Sequence, residues 1–329
     1  MNKLDEILRS AGIPDDTKAM INSLGDDAKA ALNSYYDETS AFYQNAQPAL
    51  LAHRFLADPE DNPILFHYTT ANAVKSILRS KTFLVGSIKH MNDNLEIKYT
   101  VKLCCKILKQ LGASSSEIEN FTNHFQNKAD LFDTYIWCFN PNGDSMAMER
   151  YGDIALGFDN QEVQKEMATE LTPLNFAHGF MKIGDAFVFP LKVNYNKKFQ
   201  TNYLMPIIKV ILACIRNINI DPYDMNQILD SSISSLYLLS LCFKRESIRE
   251  ENEIRFAALK LTSNGETQED VIYDNKPMIK VQLKKAMLRF MVINHDWDGR
   301  ENEINDLVSQ AGFDMATVRK TKIPYKGRW

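Results

Sequence analysis

The sequence predicts an α+β protein with a helical N-terminal extension, and three observations carry that expectation. Over the first sixty residues apolar positions recur at three- and four-residue spacing, as in Leu4-Ile7-Leu8 and Met20-Ile21-Leu24, which is the helical period. Further on, short runs rich in β-branched and aromatic residues, such as Tyr135-Ile136-Trp137-Cys138-Phe139, alternate with amphipathic helical stretches. Between the two patterns lies Asp58-Pro59-Glu60-Asp61-Asn62-Pro63, an acidic stretch whose two prolines suit neither helix nor strand. The expected division is a helical extension at 1–60 and a larger domain at 61–329.

Within the extension, Gly12-Ile13-Pro14 separates one short helix from the next, and Asp15-Asp16 before Thr17 supplies a cap. From residue 64 the order reads strand 64–68, helix 71–80, strand 82–85, a polar turn at 91–96 and a helix 96–111 with Ile97, Val101 and Leu108 on one face. Ser114-Ser115-Ser116 followed by Glu117 opens the next helix. A buried strand 135–139, a turn 140–144, a helical turn 145–151 and a strand 154–158 follow. The second half reads as helix 161–170, a strand 187–195 interrupted near Pro190, then helices 203–218 and 224–243, the first apolar nearly all round. Strands 254–261, 278–283 and 288–293, a helix 302–310 closed by Gly312 and a strand 317–323 complete the chain.

Apolar residues at 45% and charged residues at 24% of 329 are ordinary for a folded chain and exclude disordered and fibrous classes. The 38 Lys and Arg against 42 Asp and Glu leave a net charge of −4, which gives no global attraction to nucleic acid or to an anionic membrane. Cys104, Cys105, Cys138, Cys214 and Cys242 form no Cys-x-x-Cys pair and have no histidine at ligand spacing. They read as small buried hydrophobes in a reducing cytosol, with no metal site. Met1 to Glu6 lacks the basic and apolar regions of a signal peptide, and the most apolar window, 204–215, is too short to span a bilayer and contains Lys209. The expectation is a soluble cytoplasmic protein. No Gly-x-Gly-x-x-Gly, Walker loop or His-Glu-x-x-His is present, so the usual signals of a Rossmann oxidoreductase, an NTPase or a zinc hydrolase are missing.

Four polar constellations stand out. His67-Tyr68-Thr69 ends the first strand of the larger domain, Asn92-Asp93-x-x-Glu96 opens a helix, Asp144 to Tyr151 forms a Met-containing turn, and Glu251-Asn252-Glu253-Ile254-Arg255 opens a strand. Each has an ordinary structural reading: a core histidine, a capping turn, a core helical turn and a solvated acidic run. Strand alternation places His67 and Thr69 on one face and Tyr68 on the other, with Tyr68 the core residue, and puts Glu251 and Glu253 on one face. Lys244, Arg245 and Arg249 precede the acidic motif as a solvated basic loop or a phosphate contact.

Taken in this order, the four resemble a bacterial domain family of unknown function that carries His-Tyr-Thr, Asn-Asp-x-x-Glu, Met-x-x-x-Tyr and Glu-x-Glu-x-Arg, itself similar to ADP-ribosyltransferases of the His-Tyr-Glu type. The resemblance runs from about residue 65 onward and leaves the helical extension outside it. It implies a fold of mixed sheets with helical insertions that binds NAD. The implied activity is transfer of ADP-ribose to a protein or nucleic acid acceptor, or hydrolysis of NAD, as in a toxin or antiviral defence effector. Glu253 is then the carboxylate beside the ribose and Glu251 orients the acceptor. His67, Thr69, Tyr68 and Asn92 line the cofactor groove, with Tyr151 as stacking surface and Arg150 on the pyrophosphate. The family tends to have Trp where this chain has Glu149 and Pro where it has Asn94. The rival reading is a non-catalytic nucleotide- or partner-binding module of a defence system, with the N-terminal helices mediating self-association or partner binding.

Overall fold

Short side chains that bond their own backbone mark where several of the helices begin. The structure, a computed structural model, describes residues 2–10, 12–91, 93, 95–171, 186–261 and 271–324. In chain order its elements are α1 (Lys3–Leu8), α2 (Asp15–Ser23), α3 (Asp26–Tyr36), α4 (Ala41–Ala46), α5 (Pro48–Phe55), β1 (Ile64–Thr69), α6 (Ala71–Ser80), β2 (Thr82–Ser87), α7 (Glu96–Gln110), α8 (Ser115–Ala129), β3 (Phe132–Phe139), β4 (Ile154–Asp159), α9 (Asn160–Leu171), β5 (Ala186–Lys192), α10 (Lys197–Asn217), α11 (Pro222–Cys242), β6 (Ile254–Leu261), β7 (Val271–Tyr273), β8 (Lys276–Gln282), β9 (Leu288–Ile293), α12 (Glu301–Gln310) and β10 (Thr317–Lys320). Ser40 caps α4, Thr70 caps α6 and Asn196 caps α10, each side-chain oxygen accepting a backbone N–H of the first turn. Ser114 and Glu117 form a reciprocal capping box on α8. Asp221 caps α11 just ahead of Pro222, a residue whose missing N–H costs nothing at a helix start.

These elements sort into two units, Met1–Phe55 with Leu95–Asp130 and Asn194–Glu246, and Leu56–Asn94 with Leu131–Val193 and Ser247–Trp329. The first unit is helical among its described residues. Its α10 is buried on most of its circumference, with Leu204, Ile207, Ile208 and Ile211 fully enclosed, so it needs cover on several sides. Helices α3 and α4 cover one side, α7 and α11 others, and α5 packs on α11. This corrects the expected division at residue 60. The N-terminal helices are not an extension standing apart from 61–329, because they share one core with the helices of 95–130 and 194–246. The boundary near the two prolines is real as a change of unit, but the chain later returns to the first unit twice.

The second unit contains every described strand, in two sheets. One is mixed, with order β1-β4-β9-β10, antiparallel except for the parallel pair β9 and β10. The other is antiparallel, with order β5-β6-β3-β2-β8-β7. Leu65, Leu156, Phe158, Met291 and Ile293 of the first sheet pack with Trp137, Phe139, Phe256 and Val281 of the second, and the Phe83 and Trp137 rings stack at 4.1 Å. The sheets also meet through backbone: Phe66 and Asn140 exchange two hydrogen bonds of 2.8 Å. The α+β class is thus observed, as two sheets interrupted by helical insertions. No helix among the described residues is long and apolar enough to cross a membrane.

Candidate functional site

Strand β1 delivers the His-Tyr-Thr motif, and its register decides where each side chain goes. Phe66 pairs with Gly157 and Tyr68 with Ala155, on the face that holds a small cluster of Tyr68, Met148, Ala155 and Val292. Leu65, His67 and Thr69 pair with Phe158, Leu156 and Ile154, on the face turned to the main core. The alternation is as expected and Tyr68 is buried as expected, but in the smaller cluster, while the half-buried His67 lies on the face that meets the main core. The Tyr68 hydroxyl donates to the Asn142 carbonyl at 2.9 Å and accepts from the Ser145 N–H at 2.8 Å.

His67 is half-buried, with Nδ1 2.8 Å from the Cys138 carbonyl oxygen and its ring edge-on to Phe83 at 4.8 Å. A carbonyl oxygen only accepts, so Nδ1 carries the proton and Nε2 keeps its lone pair. Removal from water holds the imidazole at about 4, against an ordinary 6.5, although the Cys138 carbonyl acts in the opposite direction. The ring is therefore neutral at physiological pH. Between pH 6.5 and about 4 the unfolded chain takes up a proton that the folded chain refuses, so this contribution is complete above 6.5 and is lost on acidification. The loss amounts to about 3 to 4 kcal/mol at most, at about 1.4 kcal/mol per pH unit. Urea midpoints of the wild type should fall across this window relative to those of His67→Gln; parallel midpoints for the two would show that His67 is not the group responsible.

Thr69 is held by its neighbour's lack of a side chain. Gly152 approaches so closely that a Cβ there would lie 2.1 Å from the Thr69 carbonyl carbon. Only glycine fits, and it joins the end of β1 to a short turn carrying Arg150 and Tyr151. The Tyr151 hydroxyl donates to Glu251 Oε1 at 2.7 Å, and Arg150 Nη2 donates to the same carboxylate oxygen. The guanidinium also lies 4.8 Å over the Tyr151 ring, a cation–π contact on a half-exposed arginine. Burial, then the Glu251 carboxylate, push the Tyr151 phenol up to about 12, so it stays a donor. Asn140 Nδ2 donates to the Glu251 backbone carbonyl at 2.6 Å, fixing the acid at the place where the two sheets join.

The two acids of the Glu-x-Glu motif part here. Asn252 adopts a left-handed conformation, φ +39°, which breaks strand alternation between them. Glu251 ends a 3-10 helical stretch, whereas Glu253 leads into β6 and its carbonyl accepts from the Val193 N–H. The Glu253 carboxylate sits 2.7 Å from Arg255 Nε, and the two residues are 5% and 0% exposed. Arg255 lies across from Cys138, on the face of β6 opposite Ile254 and Phe256. The expectation of one shared strand face is corrected: Glu251 belongs with Arg150 and Tyr151, and Glu253 with Arg255.

Of the other candidates, Asn92 lies outside the described residues. Glu96, from the same motif, is buried in the helical unit and accepts an ion pair from Lys244 Nζ at 3.1 Å. Gln200 ties this pair down by donating to the Lys244 and Asn194 carbonyls and accepting from the Tyr99 hydroxyl. Lys244 is thus not a residue of a solvated loop, while the exposed Arg249 pairs with Glu250. The structure adds Asn140, which the sequence showed only as a turn residue, and Gly152, and it gives Asp144 of the third motif its partners: both terminal nitrogens of Arg319, the Thr321 hydroxyl and the Lys322 N–H all donate to it. Comparison with models of protein families, with curated proteins and with solved structures finds no match to this chain.

Proposed function

We propose that the two-sheet unit binds NAD and breaks its nicotinamide–ribose bond, passing ADP-ribose to a protein or nucleic acid acceptor or to water. The observation that supports this most directly is the Glu251 carboxylate. It is kept nearly out of solvent at the junction of the sheets, aimed by Tyr151 and fixed by Asn140. As the bond breaks the sugar becomes cationic, and a preorganised carboxylate in a site of low dielectric favours that charge more than it favours the neutral substrate. The residues around it suit the remainder of the dinucleotide. Tyr151 offers a ring for nicotinamide, and Arg150, half-exposed, suits a diphosphate. His67, neutral, has Nε2 as an acceptor for a ribose hydroxyl. This reading gives the sugar-facing role to Glu251 in place of Glu253, because the Glu253 carboxylate is committed to a fully buried arginine.

The test is release of nicotinamide from NAD by the purified chain, with the adenylate phosphate labelled and cell lysate supplying acceptors. Free nicotinamide is expected, with the label either on a macromolecule or in ADP-ribose. Intact NAD at millimolar concentration, bound but not cleaved, would favour a nucleotide-binding module instead.

A further inference from the structure

The helical unit contains a groove of about 400 Å³ that the NAD reading does not use. Its size is that of a small-molecule site. The slot exists because its walls carry alanines, Ala30 and Ala31 on α3, Ala41 at the start of α4 and Ala213 on α10, with Phe42 and Val210 completing an apolar floor. Along α10 the lining positions Pro206, Lys209, Ala213 and Arg216 follow one another every three or four residues, so they form one stripe roughly 15 Å long.

Three charges stand at the rim, and two of them are engaged. Arg216 Nε donates to Glu117 at 2.7 Å and its Nη2 to the Gly112 carbonyl, while Asp27 accepts from Asn217 Nδ2 at 3.4 Å. Lys209 is exposed and makes no ion pair or hydrogen bond among the described residues. An apolar slot one stripe long, with one uncommitted cation at its edge, is complementary to an apolar chain that ends in an anion.

We propose that this groove binds an unbranched amphiphile with a single anionic head, such as an acyl carboxylate of about ten carbons, with Lys209 taking the head. The length of the α10 stripe favours an extended chain over a compact body, and the alanine walls offer that chain an apolar lining. The rim selects the sign of the head. This site is independent of the NAD reading, because none of its lining residues belongs to the two-sheet unit.

Isothermal titration of the full chain with hexanoate, octanoate and decanoate, all below micellar concentrations, tests the proposal. Saturable one-to-one binding is expected, tightening about fourfold per added methylene. Lys209→Glu should weaken decanoate at least about tenfold and leave decanol unchanged. Ala30→Trp, at an exposed position, should fill the slot and remove binding of both with the fold intact by circular dichroism. The proposal is overturned by an absence of saturable binding, by affinity that does not change with chain length, by decylamine binding as tightly as decanoate, or by full binding in Ala30→Trp.

Discussion

Glu251→Gln should lower NAD turnover by a factor of about a hundred or more while the protein melts as the wild type does. The amide keeps the size of the carboxylate and an oxygen to accept from the Tyr151 hydroxyl, so the local geometry survives. The ion pair that is lost involves an arginine half open to water, a kind of contact worth about 1 kcal/mol or less. The bond from Asn140 ends on the backbone carbonyl and is untouched by the substitution. What disappears is the negative charge, whose larger effect falls at the moment the sugar turns cationic. Turnover within threefold of wild type, measured as nicotinamide release, would remove Glu251 from the sugar-facing role.

Glu253→Ala should have the opposite profile, a loss of stability of about 3–5 kcal/mol. Arg255 is fully buried, and truncating its carboxylate partner leaves a guanidinium charge in the interior with an incomplete set of partners. A urea denaturation series on the variant reads this directly. Should Glu253→Ala unfold at the wild-type midpoint and yet lose all turnover, while Glu251→Gln stays active, the catalytic carboxylate is Glu253, as the motif resemblance implied, and the geometric argument fails.

Most strands and helices were legible because periodicity is a local property. Helix 71–80 and strands 254–261 and 288–293 occupy the expected residues, since their apolar patterns and caps lie within the segments themselves. The strand expected at 187–195 stops at Lys192, where the chain passes from one unit to the other, and β7 was not foreseen in its three largely exposed residues. The division into units was not legible. It depends on which helices cover the apolar circumference of α10, and that is decided by contacts distant in sequence. At the site, the motif residues were found, but their roles hung on two backbone details. One is the left-handed Asn252, which separates Glu251 from Glu253; the other is the contact between Gly152 and Thr69. Asn is among the residues that tolerate such a turn, but an Asn between two acids in a strand-like pattern carries no visible mark of it.

The chain passes between its units at 55/56, 94/95, 130/131, 193/194 and 246/247, and this has a consequence for its synthesis. Helices α3 and α4 leave the ribosome long before α10, the helix whose side they cover, and β1 and β4 leave it before β9 and β10, which complete their sheet. Neither unit can close during translation until late segments arrive, so apolar faces stay uncovered in the nascent chain for much of its elongation. Such sequence-distant pairings slow folding and expose the chain to aggregation and to chaperones. No single cut yields either unit whole, so fragments of this protein should be poorer folders than the intact chain.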